Sequence, residues 1–81
     1  MIRAQQTSNL DQYTFDITQK YLQDLGHAEC QKLLQQLLAE AEKGIIRAAL
    51  EHTNGNQSNT AKLLGITRTT LRTRLTRYDL N

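Results

Sequence analysis

Residues 54–81 read NGNQSNTAKLLGITRTTLRTRLTRYDLN, and this stretch predicts two short helices separated by a sharp turn. Asn54-Gly55-Asn56 is typical of a loop, because these residue types tolerate left-handed backbone conformations. Asn56 can then cap a helix from Gln57 to Leu64, since its side-chain oxygen can accept a free backbone N–H. Gly65 is expected to end that helix, because glycine readily adopts the positive φ of a C-terminal cap.

The second helix is predicted from Arg68 to about Tyr78, with Thr67 as its N-cap. Ile66 and Leu71 have the spacing of a hydrophobic staple across that cap. At about 100° per residue, the helix separates into an apolar face and a polar face. The apolar face carries Leu71, Leu75 and Tyr78, and the polar face carries Thr69, Thr73 and Thr76, flanked by Arg72 and Arg77.

Positive charge is concentrated at this end of the chain. Residues 1–53 carry five Lys/Arg against seven Asp/Glu, a formal charge of −2, whereas residues 54–81 carry five against one, a formal +4. An arginine-rich helix without carboxylates, placed after a tight turn, favours a phosphodiester backbone as its partner. The five cations are Lys62, Arg68, Arg72, Arg74 and Arg77.

The first turn of the second helix is the predicted recognition element, with Arg68, Thr69 and Thr70 expected to point outward. Arginine can form two hydrogen bonds with a guanine edge, and threonine can bond a base or contact the methyl group of thymine. The alternative is a solvated surface helix whose charges only maintain solubility. The preceding helix, the glycine turn and the capping residues argue against that alternative.

Two further helices are predicted upstream. The first runs from Leu10 to Leu25, capped by Ser8 or Asn9, and the second from about Lys32 to His52. Residues 1–9 show no periodicity and are predicted to form a disordered N-terminal arm. The second of these helices has a wide apolar face, formed by Leu34, Leu37, Leu38, Ala41, Ile45, Ala48 and Ala49 and extended by Leu33, Ile46 and Leu50.

Apolar faces this broad are too large for an 81-residue monomer to bury. A homodimer could bury them in a four-helix bundle, and its twofold axis would also present two recognition helices. The alternative is a core within one chain, formed against the C-terminal helices. We therefore predict an all-α fold with four helices per chain, in an intertwined homodimer. Residues 10–53 would form the four-helix-bundle core, and residues 54–81 a helix-turn-helix in each subunit.

Several functional classes find no support in the sequence. Cys30 is the only cysteine, which excludes an internal disulfide and fits a reducing cytoplasm. His27 and His52 are isolated, and no nucleophile has the partners that catalysis requires. No apolar run approaches the roughly 18 residues of a membrane span. We expect a cytoplasmic protein that is not an enzyme, with no cofactor, metal, small-molecule ligand or membrane partner.

Residues 55–81 resemble the C-terminal helix-turn-helix of the Fis (factor for inversion stimulation) family of bacterial DNA-binding proteins. The same motif closes the nitrogen-regulation class of transcriptional activators. Upstream, the similarity is weaker, although the order of elements agrees as far as Leu10. The matching positions are Gly55-Asn56-Gln57, Ala61, Leu64-Gly65-Ile66, Arg68, Thr70-Leu71-Arg72, Leu75 and Tyr78 to Asn81.

The resemblance implies roles for individual residues. Arg68 matches an arginine that contacts a base, Thr70 and Arg72 match positions that contact the DNA backbone, and Asn56 and Ser58 match phosphate contacts. Together with the cations and threonines noted above, the candidate DNA-binding set is Asn56, Ser58, Lys62, Thr67, Arg68, Thr69, Thr70, Arg72, Thr73, Arg74 and Arg77.

Departures from the family pattern predict fewer phosphate contacts. Thr73 and Thr76 stand where Fis proteins often have lysines, and Asn54 and Asn59 where they often have arginines. Arg74 and Arg77 are candidates for partial replacement. The nine residues before Leu10 are also too few for the β-arm that enteric Fis uses on recombinases, which argues against stimulation of a recombinase but not against DNA binding.

The resemblance implies double-stranded DNA as the partner. Two recognition helices too closely spaced for successive grooves of straight DNA would bend the duplex, and sequence preference would come partly from its deformability. The implied roles are nucleoid organisation, transcriptional regulation and site-specific recombination. Two other functions remain open: the DNA-binding end of a larger nitrogen-regulation type activator, and a helical module that binds protein instead of DNA.

Overall fold

The computed structural model describes residues 4–25 and 32–81, and in these residues the protein is all-α, with no β-strand. Its helices are α1 (Ala4–Leu25), α2 (Leu33–His52), α3 (Gln57–Leu64) and α4 (Arg68–Arg77). The chain divides into two units, Met1–Leu33 and Leu34–Asn81. The all-α prediction is confirmed, and the candidate DNA-binding residues all lie in the second unit.

Helix α1 begins six residues earlier than the predicted start at Leu10. Residues 4–9, predicted to belong to a disordered arm, are helical. The physical reason is that alanine and glutamine at positions 4–6 are favourable helix formers, and no glycine or proline interrupts the chain before Leu25. Residues 1–3 and 26–31, which include His27 and Cys30, lie outside the described residues.

The second unit has a small core in which α2 packs against α3 and α4. Ile46 of α2, Ala61 of α3, and Leu71 and Leu75 of α4 form its buried cluster. Part of the α2 apolar face thus contributes to a core within the chain, which was the alternative to the dimer bundle for this face. In the structure, α2 lies in the same unit as the helix-turn-helix. The functional division into residues 10–53 and 54–81 stays a prediction. Leu50, Leu64, Ile66, Tyr78 and Leu80 pack around the cluster.

Another part of the α2 apolar face is exposed. Leu34, Leu38 and Ile45 recur at helical spacing along one side, and all three are more than half exposed. Helix α1 likewise carries exposed apolar residues at Leu10, Tyr13, Phe15, Ile17, Tyr21 and Leu22. Within residues 4–25 and 32–81, no helix is both long enough and apolar enough to cross a bilayer.

Candidate nucleic-acid interface

The start of α3 is held by side-chain caps. Asn56 accepts the backbone N–H of Asn59 through Oδ1 at 3.0 Å, as its sequence position predicts. Thr60 is fully buried, and its hydroxyl donates to the Asn56 carbonyl at 2.7 Å and lies 2.6 Å from the Thr53 hydroxyl. These bonds tie α3 to the end of α2. They leave Ser58 and Asn59 exposed at the front of α3.

The turn between α3 and α4 depends on Gly65, which has a φ of 76°. Its N–H donates to the Ala61 carbonyl at 2.9 Å, and the Ile66 N–H donates to the same oxygen at 3.0 Å. Thr67 then caps α4 by accepting the Thr70 N–H at 3.1 Å. The predicted caps at both ends of this turn are confirmed. Thr67 is exposed, but its hydroxyl is engaged within the turn, also donating to the Thr70 hydroxyl.

Helix α4 presents the predicted two faces. Leu71 and Leu75 are fully buried, and Tyr78 is half-buried. Ile66 packs against the cluster that contains Leu71, as a hydrophobic staple requires. On the opposite side, the exposed residues are Thr69, Arg72, Thr73, Thr76 and Arg77, and Arg68 is exposed at the first turn.

The sequence predicts that Thr70 points outward, but in the structure Thr70 is half-buried. It follows Thr69 by about 100° around α4, which turns it toward α2. There it lines an open groove of about 440 Å³, together with Leu38, Ile45 and Ile66. Because Thr70 lines this groove, it is a weaker candidate for a base contact than Arg68 or Thr69.

Arg74 is not a free cation, because it is paired with a carboxylate. Its Nε atom lies 3.0 Å from Oε1 of Glu42 on α2, and the two side chains are 30% and 40% exposed. The Arg74 N–H is not aligned for a hydrogen bond, so the contact is an ion pair. The Tyr78 hydroxyl donates to the same carboxylate oxygen. Sequence reasoning did not single out Glu42, because the residues that it meets are more than thirty positions away.

This cluster changes the acidity of two side chains. The hydrogen bond from Tyr78 lowers the pKa of Glu42 most, and partial burial opposes that shift. The close contact with the Arg74 side chain and the charges of Arg74 and Arg77 lower the pKa further. The same hydrogen bond, with partial burial, raises the pKa of Tyr78 above its ordinary value. The carboxylate and the phenol are therefore the forms that the fold stabilises near neutral pH.

Glu42→Gln is expected to lower the thermal unfolding midpoint at pH 7 and to have little effect in acid. Because folding lowers the pKa of Glu42, its charge stabilises the fold above the ordinary value of 4.5, and this contribution is lost as pH falls through the folded-state pKa. Circular dichroism melts at fixed protein concentration between pH 7 and about pH 3 measure the difference. Glu40→Gln, at an exposed position on the same helix, is the matched control. A Glu42→Gln deficit that stays constant with pH would contradict the assignment.

The candidate DNA-binding residues are therefore divided by exposure. Thr70 and Arg74 are half-buried and packed toward α2. The other nine are exposed: Asn56, Ser58, Lys62, Thr67, Arg68, Thr69, Arg72, Thr73 and Arg77. Among the described residues, no group of three or more His, Cys, Asp or Glu side chains lies together as a metal site would require.

The sequence is similar to those of known DNA-binding proteins. A Fis-like DNA-binding protein of Xylella fastidiosa is 37% identical over 78 residues, which cover 96% of this chain and 87% of the relative. The DNA-binding protein Fis of Aliivibrio fischeri is 39% identical over 61 residues, 75% of this chain and 62% of the relative. That of Buchnera aphidicola is 39% identical over 64 residues, 78% of this chain and 65% of the relative.

The match extends beyond the two C-terminal helices. Residues 37–78, which include most of α2 and all of α3 and α4, match the family described as bacterial regulatory protein, Fis family. This region is about half of the chain, and the identity to individual relatives extends over most of the remainder. The protein belongs to the Fis family.

Proposed function

We propose that this protein binds double-stranded DNA as a homodimer, bends it, and acts in nucleoid organisation and transcriptional regulation in a bacterial cell. The observation that carries the proposal is the exposed face of α4. That face offers Arg72 and Arg77 with small threonines between them and no carboxylate. Small side chains let a helix backbone approach a groove closely, and the arginines supply charge for phosphates.

Contacts with DNA would divide into two kinds. Arg68 and Thr69, at the exposed first turn of α4, are placed to read base edges in the major groove. Asn56, Ser58 and Lys62 on or before α3 would contact phosphates, which fix the register of the protein but carry no sequence information. A site with few base readers and several phosphate contacts favours binding that tolerates many sequences.

The homodimer is proposed from the uncovered α2 stripe of Leu34, Leu38 and Ile45, and it would use residues 10–53 of each subunit. This stripe adjoins the open groove, which is lined by Leu38, Ile45 and Ile66 among others. Burial of one Leu or Ile side chain contributes very roughly 1.5–3 kcal/mol, so a twofold pairing of two stripes offers enough apolar surface for stable association. A second copy of this chain carries the complementary surface by symmetry.

Bending is proposed from the family membership combined with a small dimer core. Two α4 helices held by a compact bundle would lie too close for successive grooves of straight DNA, so that the duplex must curve to meet both. Sequence preference at positions without contacts would then arise from the energy of deformation. Such a protein is suited to organising the nucleoid and to shaping promoter regions.

The test of DNA binding is its dependence on salt. If Lys62, Arg72 and Arg77 of each subunit neutralise one phosphate each, a dimer neutralises six, and log affinity should fall against log salt with a slope of about −5. Arg72→Ala should make the slope shallower by about two, because the dimer loses two contacts. Fluorescence anisotropy with a labelled duplex measures both.

Lys20→Ala is the control, because Lys20 is an exposed cation on α1, outside the basic region. Its slope should equal that of the wild type. A wild-type affinity that does not respond to salt would remove the electrostatic basis of the proposal and would favour the protein-interaction module.

Arg68→Ala is expected to weaken binding to a preferred site more than binding to an arbitrary duplex. A bidentate arginine–guanine pair contributes about 1–3 kcal/mol of discrimination, which corresponds to roughly five- to 150-fold in affinity ratio. Competition between a selected site and random DNA measures that ratio. An equal loss on every sequence would instead make Arg68 a phosphate contact.

A further inference from the structure

Arg74 differs from the other arginines of α4 because it contacts Glu42. Arg72 and Arg77 are exposed on the polar side of the helix, whereas Arg74 is half-buried and paired with the α2 carboxylate. Arg74 precedes Arg77 by three residues, so the two positions are only about 60° apart around the helix axis. Because the Arg74 side chain is long and flexible, it could reach the side of α4 that would face DNA if nothing else held it.

Two side chains near the end of α4 contact the Glu42 carboxylate. The Tyr78 hydroxyl donates to the same Glu42 oxygen that Arg74 approaches. Tyr78 follows Arg74 by one helical turn and packs against the core cluster, which ties the carboxylate to the end of α4. Glu42 and Arg74 both line the groove between α2 and the helix-turn-helix. The anion that Arg74 meets is thus part of the folded unit and is present whether or not DNA is bound.

From this geometry we propose that Glu42 is an internal competitor of DNA phosphate for Arg74, which withholds one positive charge per subunit from the DNA. The proposal rests on the proposed DNA-binding function and assigns a regulator of its affinity. Phosphate contacts supply nearly all nonspecific binding to DNA. Neutralising one cation inside the protein therefore lowers affinity for DNA of any sequence while leaving the base-reading turn at Arg68 unchanged, so that base contacts supply a larger share of the binding energy at a preferred site.

The test is the salt dependence of the Glu42→Gln variant on a labelled duplex of arbitrary sequence. Glutamine keeps an oxygen that can accept the Tyr78 hydroxyl, but it removes the negative charge that pairs with Arg74. A released Arg74 would add one phosphate contact per subunit, and the slope of log affinity against log salt should become steeper by about two for a dimer. The affinity advantage of the variant over wild type should then shrink about tenfold between about 50 and 200 mM salt.

Two arginine variants provide a matched comparison within α4. Arg74→Gln in the otherwise wild-type protein should leave the slope unchanged, because Arg74 does not contact phosphate while Glu42 is charged. Arg72→Gln should make the slope shallower by about two. The double variant Glu42→Gln/Arg74→Gln should return to the wild-type slope. Glu40→Gln adds the same net charge as Glu42→Gln without touching the Arg74 contact, so an unchanged slope in Glu40→Gln separates the release of Arg74 from a general gain in positive potential.

Each outcome decides the proposal. It is overturned if Glu42→Gln leaves the slope unchanged, if the double variant keeps the steeper slope, or if Arg74→Gln loses as much slope as Arg72→Gln. The last comparison needs no change at Glu42, so it decides the matter even if Glu42→Gln does not fold by circular dichroism. Failure of the DNA-binding proposal looks different, because the wild type would then show no salt-dependent binding and Arg72→Gln would have no effect.

Discussion

Leu38→Asp is expected to convert the proposed homodimer into monomers at micromolar concentration. Leu38 is 59% exposed in the protomer, so an aspartate there removes little packing within one chain. In a twofold dimer each subunit would bring one unpaired carboxylate into the buried interface, and an unpaired buried charge costs several kcal/mol. A loss of about 3 kcal/mol already weakens association more than a hundredfold. Sedimentation equilibrium over a concentration series measures the change.

Arg47→Asp is the control for that experiment. Arg47 is exposed and lies nine residues from Leu38, about 180° round α2, so a carboxylate there would face away from the stripe. Its mass should stay at twice that of the 81-residue chain. A Leu38→Asp protein that remains dimeric with unchanged affinity would place the interface elsewhere. A wild type that is a stable monomer would remove the dimer altogether.

The local structure of the C-terminal region could be predicted because short-range physics determines it. The caps at Asn56 and Thr67 and the left-handed Gly65 each depend on bonds to residues within a few positions. The division of α4 into a Leu71 face and a threonine face follows from helical periodicity alone. Such features can be derived from one sequence without knowledge of the tertiary contacts.

Features that depend on which surfaces meet could not be derived in the same way. Ile45 and Ile46 are neighbours on one broad apolar face, yet Ile46 is buried against α4 and Ile45 is exposed. Periodicity marks both as apolar-facing and cannot say which partner covers each, because they differ by only about 100° around the helix. The Glu42 contact is of the same kind, since it joins α2 to α4 through tertiary packing.

The two apolar sides of α2 can therefore have different functions. One side of the helix, at Ile46 and Leu50, supports the helix-turn-helix, and the next side, at Leu34, Leu38 and Ile45, remains available for a partner. A dimer built on the second side would fix the distance between two α4 helices through a single rigid element. The spacing of the recognition helices, and with it the bend in the DNA, would then depend on the angle at which α4 packs on α2.

Leu71→Ala is expected to destabilise the helix-turn-helix by about 2–5 kcal/mol. Leu71 is 0% exposed, lies in the buried cluster with Ile46, Ala61 and Leu75, and packs near Ile66 in the staple. Truncation removes buried methyl groups and leaves a cavity that a core of this size can close only partly. Because Leu71 also packs α4 onto the core, DNA affinity should fall together with stability. Denaturant unfolding monitored by circular dichroism, at one fixed protein concentration, measures the free energy.

Leu63→Ala is the matched control, because Leu63 is the same residue type on the adjoining helix but is 57% exposed. A surface substitution of this kind usually changes stability by no more than about 0.5 kcal/mol. The contrast between the two leucines tests the position of the core itself, independently of DNA and of the dimer. Equal losses from both variants would mean that α4 does not rest on Leu71, and the exposed threonine and arginine face would then have no fixed orientation from which to contact a groove.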